Sequence, residues 1–268
     1  MKTIEFTKMH GAGNDYIYVD AAKYPLQNPE KLAIQWSRPH FGIGADGLVL
    51  ICPSEIADFK MRIFNADGSE ATMCGNASRC IGKYVYEAGL SQKTELTLET
   101  LSGIKNLSLE VKGGTVRKIS VNMGQALLKG KAVLEVEGDL FNGWMVAVGN
   151  PHFVVFVKDL ALIDLPKIGP LLENHPFFGE GSNVEFVQVI SRKHLRMRVW
   201  ERGSGITLAC GTGASASAVA ASAAGKCANK LRVEMEGGEL EISLDPQSRE
   251  VLMTGGATKV FEGSIELD

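Results

Sequence analysis

Two cysteines, Cys74 and Cys210, lie in equivalent copies of a repeated segment. Residues 61–64 (MRIF) lead to Cys74, and residues 197–200 (MRVW), 136 positions further on, lead to Cys210 with the same spacing. Solenoid repeats run to about 20–50 residues, so a repeat of this length indicates a duplicated domain. The sequence therefore predicts two similar halves that each carry one cysteine.

Each of these cysteines is followed by a glycine and then by a segment with the composition of a helix. The sulfur would therefore lie at a helix N-terminus, where unpaired backbone N–H groups and the helix dipole favour negative charge. This position lowers the pKa of a thiol from its usual value of about 8.5. The same N–H groups can bind a carboxylate. A base and an anion-binding site are thus expected together in each half.

A pair of such thiols is suited to the inversion of a carbon centre. Inversion by proton transfer needs a base on one face of the carbon and an acid on the other, and a thiolate opposite a thiol provides both. With each sulfur about 3–3.5 Å from the reacting carbon, the sulfurs would stand about 6–7 Å apart, too far for a disulfide bond of about 2.05 Å. The alternative for any cysteine is a buried structural thiol. Two equivalent positions, each before a glycine and a helix, favour the paired site.

The remaining cysteines, Cys52, Cys80 and Cys227, have no partner in the repeat and are expected to pack in the core. Neither Cys-x-x-Cys nor His-x-x-x-His occurs and the five histidines are scattered, so no metal site is predicted. An odd number of cysteines in a chain of this length favours reduced thiols and a cytoplasmic location.

The composition is that of two globular domains. Of the 268 residues, 45% are apolar and 22% are charged, and the net charge is −3. No run of lysine and arginine offers a surface for nucleic acid or for an acidic membrane. The start of the chain is too polar for a signal peptide. No apolar stretch reaches the roughly 18 residues that a membrane-spanning helix requires.

Alternating apolar patterns predict a protein dominated by strands, with a few helices. Helices are expected at 29–37, 76–88, 167–173 and 212–224. Strands are expected at 17–19, 48–51, 96–98, 107–111, 116–121, 153–157, 184–189, 231–235, 240–244 and 260–267. The glycine pairs at 113–114 and 237–238 indicate hairpin turns at similar places in each half. The last strand is expected to return to the first half, so that the predicted domains are 1–119 plus 256–268 and 120–255.

Several longer motifs resemble the diaminopimelate epimerase family over nearly the whole chain. They are residues 8–15 (KMHGAGND), 64–70 (FNADGSE), 73–76 (MCGN), 149–152 (GNPH), 200–203 (WERG) and 209–213 (ACGTG). The resemblance implies an α/β (α+β) fold of two similar lobes, each a mixed β-sheet curled around a central helix, with the active site in the cleft between the lobes.

The resemblance also implies an activity. The family converts LL-2,6-diaminopimelate to the meso form without a cofactor or a metal, by a two-base mechanism that uses a cysteine thiolate and a cysteine thiol. This reaction serves lysine and peptidoglycan precursor biosynthesis. The implied partner is the small-molecule substrate, with no nucleic acid or membrane involved, and the implied assembly is a homodimer in the cytoplasm.

The family's site residues carry over onto this sequence motif by motif. Cys74 and Cys210 resemble the acid–base pair. The backbone amides that resemble the clamp on the reacting carboxylate are those of Gly75, Asn76, Gly211 and Thr212. Glu201 resembles the acceptor for the substrate ammonium, and Arg202 resembles the bidentate partner of the distal carboxylate. The side-chain amides that resemble the pocket lining are those of Asn14, Asn65, Asn150 and Asn183. His152 resembles a supporting residue.

The sequence departs from the family pattern at a few positions. Gly47 stands where many members have glutamine, so a side-chain contact to substrate is not expected there. Ala77 replaces a commoner glycine and Phe153 a frequent cysteine. Residues 42–47 fit Gly-x-Gly-x-x-Gly, but a helix precedes them and a strand follows, which is the reverse of a dinucleotide-binding motif.

Two other functions are compatible with the paired cysteines. One is racemisation of proline or hydroxyproline in the same superfamily, which Asn76 (where proline racemases tend to have histidine) and the pair of Glu201 and Arg202 disfavour. The other is a non-catalytic protein in which Cys74 and Cys210 form a redox-switched disulfide.

Overall fold

The computed structural model describes residues 2–267, which fall into two compact units. Unit 1 contains the chain up to residue 121 and from residue 255 onward, and unit 2 contains residues 122–254. These boundaries lie within two residues of the predicted ones. The last strand lies in unit 1 and pairs antiparallel with the first strand of the chain.

The strands and helices repeat in the two units with the offset of the sequence repeat. The strands of unit 1 are β1 (Lys2–Gly11), β2 (Asn14–Asp20), β3 (Gly47–Cys52), β4 (Phe59–Asn65), β5 (Glu70–Ala71), β6 (Glu95–Thr100), β7 (Gly103–Lys112), β8 (Thr115–Gln125) and, at the end of the chain, β18 (Thr258–Leu267). Those of unit 2 are β9 (Leu127–Val136), β10 (Asp139–Ala147), β11 (Pro151–Val157), β12 (Asn183–Ser191), β13 (His194–Glu201), β14 (Gly205–Ile206), β15 (Lys230–Met235), β16 (Gly238–Leu244) and β17 (Glu250–Gly255). The helices are α1 (Pro29–Ser37), α2 (Gly75–Glu87), α3 (Leu165–Glu173) and α4 (Gly211–Ala223).

The two sheets have one strand order and one pattern of pairing directions. In unit 1 the order is β18-β1-β2-β3-β4-β6-β7-β8, in which β2/β3 and β4/β6 are parallel and the other pairs antiparallel. In unit 2 the order is β9-β10-β11-β12-β13-β15-β16-β17, in which β11/β12 and β13/β15 are parallel and the other pairs antiparallel. The expected pair of mixed α/β lobes from a duplication is therefore confirmed.

Each sheet curls around one buried helix. In unit 2, α4 contacts β10 near one end of the sheet order and β16 near the other, which requires the sheet to wrap around it. The helix consists of Gly, Ala, Ser, Thr and Val, and these small side chains allow the strands to approach closely on several sides. In unit 1, α2 is buried over most of its length in the same way and contacts β1, β2 and β7.

The other face of each sheet is covered by a second helix. In unit 1, Trp36 of α1 packs on Ile17 and Leu48. In unit 2, Leu172 of α3 packs with Phe153 and other large apolar residues of β11 and β12. Because side chains alternate along a strand, the residues between these point to the opposite face, where α2 and α4 lie. This alternation places the polar residues of β11 and β12 beside the start of α4.

All four helices occur where they were predicted, with ends that differ by at most two residues. The predicted strands also lie within observed strands, and the glycine pairs at 113–114 and 237–238 fall at the β7–β8 and β15–β16 hairpins. The strands that were not predicted are β1, β4, β5, β9, β10, β13, β14 and β17. Within residues 2–267, no helix is long and apolar enough to cross a bilayer.

Candidate active site

Both repeat cysteines cap the central helix of their unit. Cys74 precedes α2 with extended backbone angles (φ −138°, ψ 119°), and its sulfur accepts a hydrogen bond from the backbone N–H of Ala77. Cys210 precedes α4 with similar angles (φ −122°, ψ 111°), and its sulfur accepts from the N–H of Gly213 at 3.3 Å. Each sulfur therefore lies at the positive end of a helix, beside amides that can bind an anion.

In unit 1 the Cys74 sulfur contacts the side chain of Asn14. The thiol donates to Asn14 Oδ1 at 3.5 Å, and Asn76 Nδ2 donates to the same oxygen at 3.3 Å. The Nδ2 of Asn14 donates to Asp46 Oδ2 at 2.7 Å. The orientation of the Asn14 amide is thus defined on both sides, and it presents an acceptor to the thiol. The structure brings together Cys74, Asn14 and Asn76, and Asp46 is a member that the sequence analysis missed.

Arg79 lies behind this group on the next turn of α2 and is fully buried. Its Nη2 donates to Asn76 Oδ1 at 2.8 Å, and its Nε donates to the carbonyl of Gly256 at 3.1 Å. Burial lowers the pKa of the guanidinium from its usual value. Since arginine nevertheless remains protonated in proteins, it adds positive charge near the start of α2. Sequence reasoning did not identify this role.

Asn65 and Gly47 lie opposite each other in the β3–β4 pairing. Gly47 follows Asp46, whose carboxylate binds the Asn14 side chain described above. Asn65 Nδ2 donates to Ser69 Oγ at 3.0 Å, so the side chain stabilises the turn after β4. A Cβ atom on Gly47 would stand 2.0 Å from the carbonyl oxygen of Phe64 and 2.9 Å from a ring carbon of Tyr16. The Phe64 backbone and the Tyr16 ring therefore occupy the space that a side chain at position 47 would need.

In unit 2 the Cys210 sulfur lies close to hydroxyl and carboxyl groups. Its distance to Thr212 Oγ1 is 3.4 Å, and its side chain is hydrogen-bonded to Glu201. The Oε1 of Glu201 also accepts from Thr207 Oγ1 at 2.5 Å. Burial raises the pKa of Glu201, and the hydrogen bonds from Thr207 and Cys210 oppose this shift.

The pKa of the Cys210 thiol is raised well above its usual value. The main cause is burial, since only 4% of the residue is exposed, and the negative charges of Glu201 and Glu185 raise it further. The hydrogen bonds from Thr212 and from the Gly213 amide act in the opposite direction and are weaker. The expectation that the helix N-terminus lowers this pKa is therefore wrong for Cys210, because desolvation and two carboxylates outweigh the helix end.

A buried chain of hydrogen bonds lies on the same face of the unit 2 sheet. The Nδ1 of His152 is 2.6 Å from Glu185 Oε1, and its Nε2 is 2.8 Å from Asn150 Oδ1. His152 and Glu185 are both almost inaccessible to solvent. The structure thus brings the predicted residues Asn150 and His152 together, and adds Glu185, which the sequence analysis missed.

Asn183 connects this face to Arg202. Its Nδ2 donates to the carbonyl of Pro151 at 2.9 Å, and its Oδ1 accepts from the backbone N–H of Arg202 at 2.9 Å. The guanidinium of Arg202 is exposed and donates to the carbonyl of Glu180 at 3.3 Å. Asn183 therefore fixes the backbone that carries Arg202, whose side chain is directed to the surface.

The other cysteines are removed from this chemistry. Cys80 and Cys227 are buried, and burial raises the pKa of each thiol to about 11. Cys52 is only half-buried, and burial also raises its pKa. Throughout the described part of the chain, no group of three or more His, Cys, Asp and Glu side chains is arranged to hold a metal ion.

The fold is shared with proteins of known structure that have low sequence identity to this chain. A phenazine biosynthesis protein of the PhzF family from Bacillus anthracis superposes with a TM-score of 0.80 at 20% identity, with 100% of both chains covered. A probable proline racemase from Agrobacterium radiobacter superposes with a TM-score of 0.78 at 16% identity, with 99% of this chain and 93% of the other covered. At these identities the similarity establishes the fold alone.

Sequence comparison is more specific. A protein named diaminopimelate epimerase from Parabacteroides distasonis is 59% identical over 268 residues, with 99% of both chains covered. Proteins of the same name from Phocaeicola vulgatus and Acetivibrio thermocellus are 57% and 49% identical, again with 99% of both chains covered. The family model described as Diaminopimelate epimerase matches residues 6–129 and 144–260. The chain therefore belongs to the diaminopimelate epimerase family.

Proposed function

We propose that this protein converts LL-2,6-diaminopimelate to the meso form in lysine and peptidoglycan precursor biosynthesis. Family membership and the names of relatives that are up to 59% identical support this substrate. The observation that carries the proposal is that a cysteine caps the central helix in each of two topologically equivalent units.

In the proposed mechanism, Cys74 and Cys210 act on one α-carbon from opposite faces. One sulfur, as thiolate, removes the α-proton, and the other, as thiol, donates its proton to the opposite face of the carbon. The enzyme gains one proton and loses one in each turnover, so the thiolate and thiol have exchanged positions when product leaves. No electrons leave the substrate, and the reaction requires no cofactor.

The helix ends are proposed to stabilise the charge that develops during proton removal. When the α-proton leaves, negative charge moves onto the adjacent carboxylate. The backbone amides of Gly75 and Asn76 at α2, and of Gly211 and Thr212 at α4, are suitable donors for it. Donors fixed by a helix need not reorganise during the reaction, which is the condition for effective electrostatic stabilisation.

Glu201 is proposed to accept the substrate ammonium and, by doing so, to allow Cys210 to ionise. In the free protein the Glu201 charge raises the pKa of the Cys210 thiol. An ammonium paired with this carboxylate would offset its charge and lower the same pKa. Cys210 therefore enters the first turnover as a thiol, and its ionisation depends on bound substrate.

The distal end of the substrate is assigned to Arg202 and to side-chain amides. The exposed guanidinium of Arg202 can form a bidentate pair with a carboxylate. The amides of Asn14, Asn65, Asn150 and Asn183 offer both donors and acceptors to a substrate that carries an ammonium and a carboxylate at each end. His152 supports Asn150.

We further propose that the protein acts as a homodimer in the cytoplasm. The family resemblance supports the dimer, and the odd number of cysteines in a chain of this length supports a reducing compartment. The mass of the particle can be measured by analytical ultracentrifugation at micromolar protein concentration. A dimer is expected, and a monomer under these conditions would contradict the proposal.

The proposed activity is tested by the exchange of solvent deuterium into substrate. Purified protein is incubated in D₂O with LL-diaminopimelate and no added cofactor, and the product is analysed by chiral chromatography and mass spectrometry. Deuterium at one α-carbon of meso product is expected, together with loss of this exchange in Cys74→Ala and Cys210→Ala. L-Proline and hydroxyproline serve as competing substrates. Turnover of either in place of diaminopimelate, or exchange that persists in both variants, would refute the proposal.

A further inference from the structure

Glu185 is a buried carboxylate that has no role in the mechanism described above and that the packing of the sheet does not require. It lies on β12 with 0% exposure, and its Oε2 has no hydrogen-bond partner among the described residues. An unsatisfied buried polar atom costs about 1–3 kcal/mol, so stability does not account for this side chain. Val49 occupies the equivalent position of unit 1. The same fold in unit 1 therefore accommodates an apolar side chain at the position equivalent to Glu185.

We infer that Glu185 is a positioning residue which, through His152, holds the Asn150 amide with its Nδ2 available to a carboxylate of the substrate. The identity of that substrate rests on the proposed function. The orientation of the amide does not, because the contacts of the free protein determine it.

The contacts form a continuous chain from Glu185 to Asn150. Glu185 Oε1 is 2.6 Å from His152 Nδ1, and His152 Nε2 is 2.8 Å from Asn150 Oδ1. Both ring nitrogens therefore face an oxygen atom. An oxygen of an amide can only accept, so Nε2 must carry a proton. A second proton must lie between Nδ1 and the carboxylate, on one or the other.

Electrostatics explain why two protons are held here. With two protons the pair of side chains has no net charge, whichever of them holds the second proton. With one proton it would carry a net negative charge where His152 is 1% and Glu185 0% exposed, and burial of an unpaired charge is strongly unfavourable. Glu201 lies near enough to interact electrostatically with both side chains, and its own negative charge favours the neutral pair further.

The proton on His152 Nε2 determines whether Asn150 directs its oxygen or its Nδ2 away from the histidine. A bare Nε2 would attract Nδ2 and turn Oδ1 outward, whereas a protonated Nε2 binds Oδ1 and leaves Nδ2 as the outward group. Asn14, the equivalent residue of unit 1, has the opposite arrangement, because its Nδ2 is bound to Asp46 and its Oδ1 accepts from Cys74. Equivalent amides of the two units are thus held in opposite orientations, with Nδ2 outward at Asn150 and with the oxygen of Asn14 bound to Cys74 and Asn76.

The outward donor of Asn150 suits the carboxylate of a substrate whose ammonium is assigned to Glu201. A carboxylate requires a donor and an ammonium an acceptor. Two units of identical topology would otherwise offer the same group twice. In unit 2, His152 and Glu185 fix the orientation of Asn150. The equivalent positions of unit 1 hold Tyr16 and Val49, which do not form such a pair.

The test compares Glu185→Leu with Glu185→Gln in the full-length protein. Leucine fills the space but removes the partner of Nδ1, so kcat/KM for LL-diaminopimelate should fall roughly 10–100-fold, by analogy with the loss of a hydrogen-bonded support behind a metal-bound histidine. Glutamine can donate to Nδ1 and keep the proton on Nε2, so activity should remain within several-fold of wild type. Val187→Ala, at a buried position of the same strand and face, is the control for lost packing.

The second readout is the protonation of the His152 ring, measured by nitrogen NMR on the wild-type protein and assigned by loss of the signal in His152→Asn. A proton on Nε2 is expected in wild type and in Glu185→Gln, and a mixture of tautomers in Glu185→Leu. This spectrum decides the inference even if diaminopimelate is not the substrate. A bare Nε2 in the wild type would overturn it. So would equal losses of activity in the Leu and Gln variants, since a loss common to both would reflect the charge of Glu185 and not its orienting role.

Discussion

Removal of the Glu201 charge should lower the pKa of Cys210, and the structure allows the size of the change to be calculated. The carboxylate is hydrogen-bonded to the thiol, and the sulfur is nearly inaccessible to solvent. Two unit charges about 4 Å apart interact by about 4 kcal/mol at an effective dielectric constant near 20, and by about 1 kcal/mol in bulk water. Since one pKa unit corresponds to about 1.4 kcal/mol, Glu201→Gln should lower the pKa of Cys210 by roughly 1–3 units.

The sign follows from the charge of each group. The thiolate is repelled by an ionised Glu201, and glutamine of nearly the same shape removes the repulsion but retains a hydrogen-bonding group. The measurement is the rate of alkylation of Cys210 as a function of pH, followed by peptide mass spectrometry in a Cys74→Ser background. Glu250→Gln, which removes an exposed carboxylate of the same unit, should leave the midpoint unchanged. A midpoint in Glu201→Gln that is equal to or above that of the parent would refute the reasoning.

Three further predictions concern individual positions of the two helix ends and the β3–β4 pair. Cys74→Ser and Cys210→Ser should each lower kcat by several orders of magnitude with little change in melting temperature, and near-normal turnover by either variant would exclude the two-base assignment. Gly213→Ala places a methyl group 2.8 Å from Glu185 Oε1 and 3.3 Å from the Cys210 sulfur, so kcat/KM should fall at least tenfold; unaltered kinetics would show that these groups tolerate displacement. Gly47→Gln should destabilise the protein by about 1–3 kcal/mol in urea unfolding instead of restoring a family contact, because the backbone of Phe64 occupies the space. A stable variant with improved KM would contradict this.

The elements that position the two cysteines could be predicted from sequence because their signals are local. A cysteine followed by glycine and a run of small residues predicts the start of α4, and the repeat transfers that prediction to α2. The return of the last strand to unit 1 could also be predicted, since the strands of the second half are complete before residue 255. The strands β9 and β10 were missed because charged residues, glycines and asparagine interrupt their apolar alternation.

The electrostatic environment of the site could not be predicted in the same way. Glu185 and His152 are 33 positions apart, and their contact depends on the register of two parallel strands. Burial of Arg79 likewise depends on how closely the sheet wraps α2. The pKa of Cys210 was misjudged for the same reason, because the helix end is a local feature whereas desolvation and the nearby carboxylates arise only in the folded chain.

The ionisable side chains buried in the two units differ, although the strand order is shared. Unit 1 encloses the guanidinium of Arg79 where unit 2 has Ser215, and unit 2 encloses the carboxylate of Glu185 where unit 1 has Val49. A protein assembled from two copies of either half would keep the architecture and both thiols, but it would carry either two buried arginines or two buried histidine–glutamate pairs. The two halves therefore share a backbone plan but differ in the groups that set the electrostatics around each helix end, and one half cannot take the place of the other.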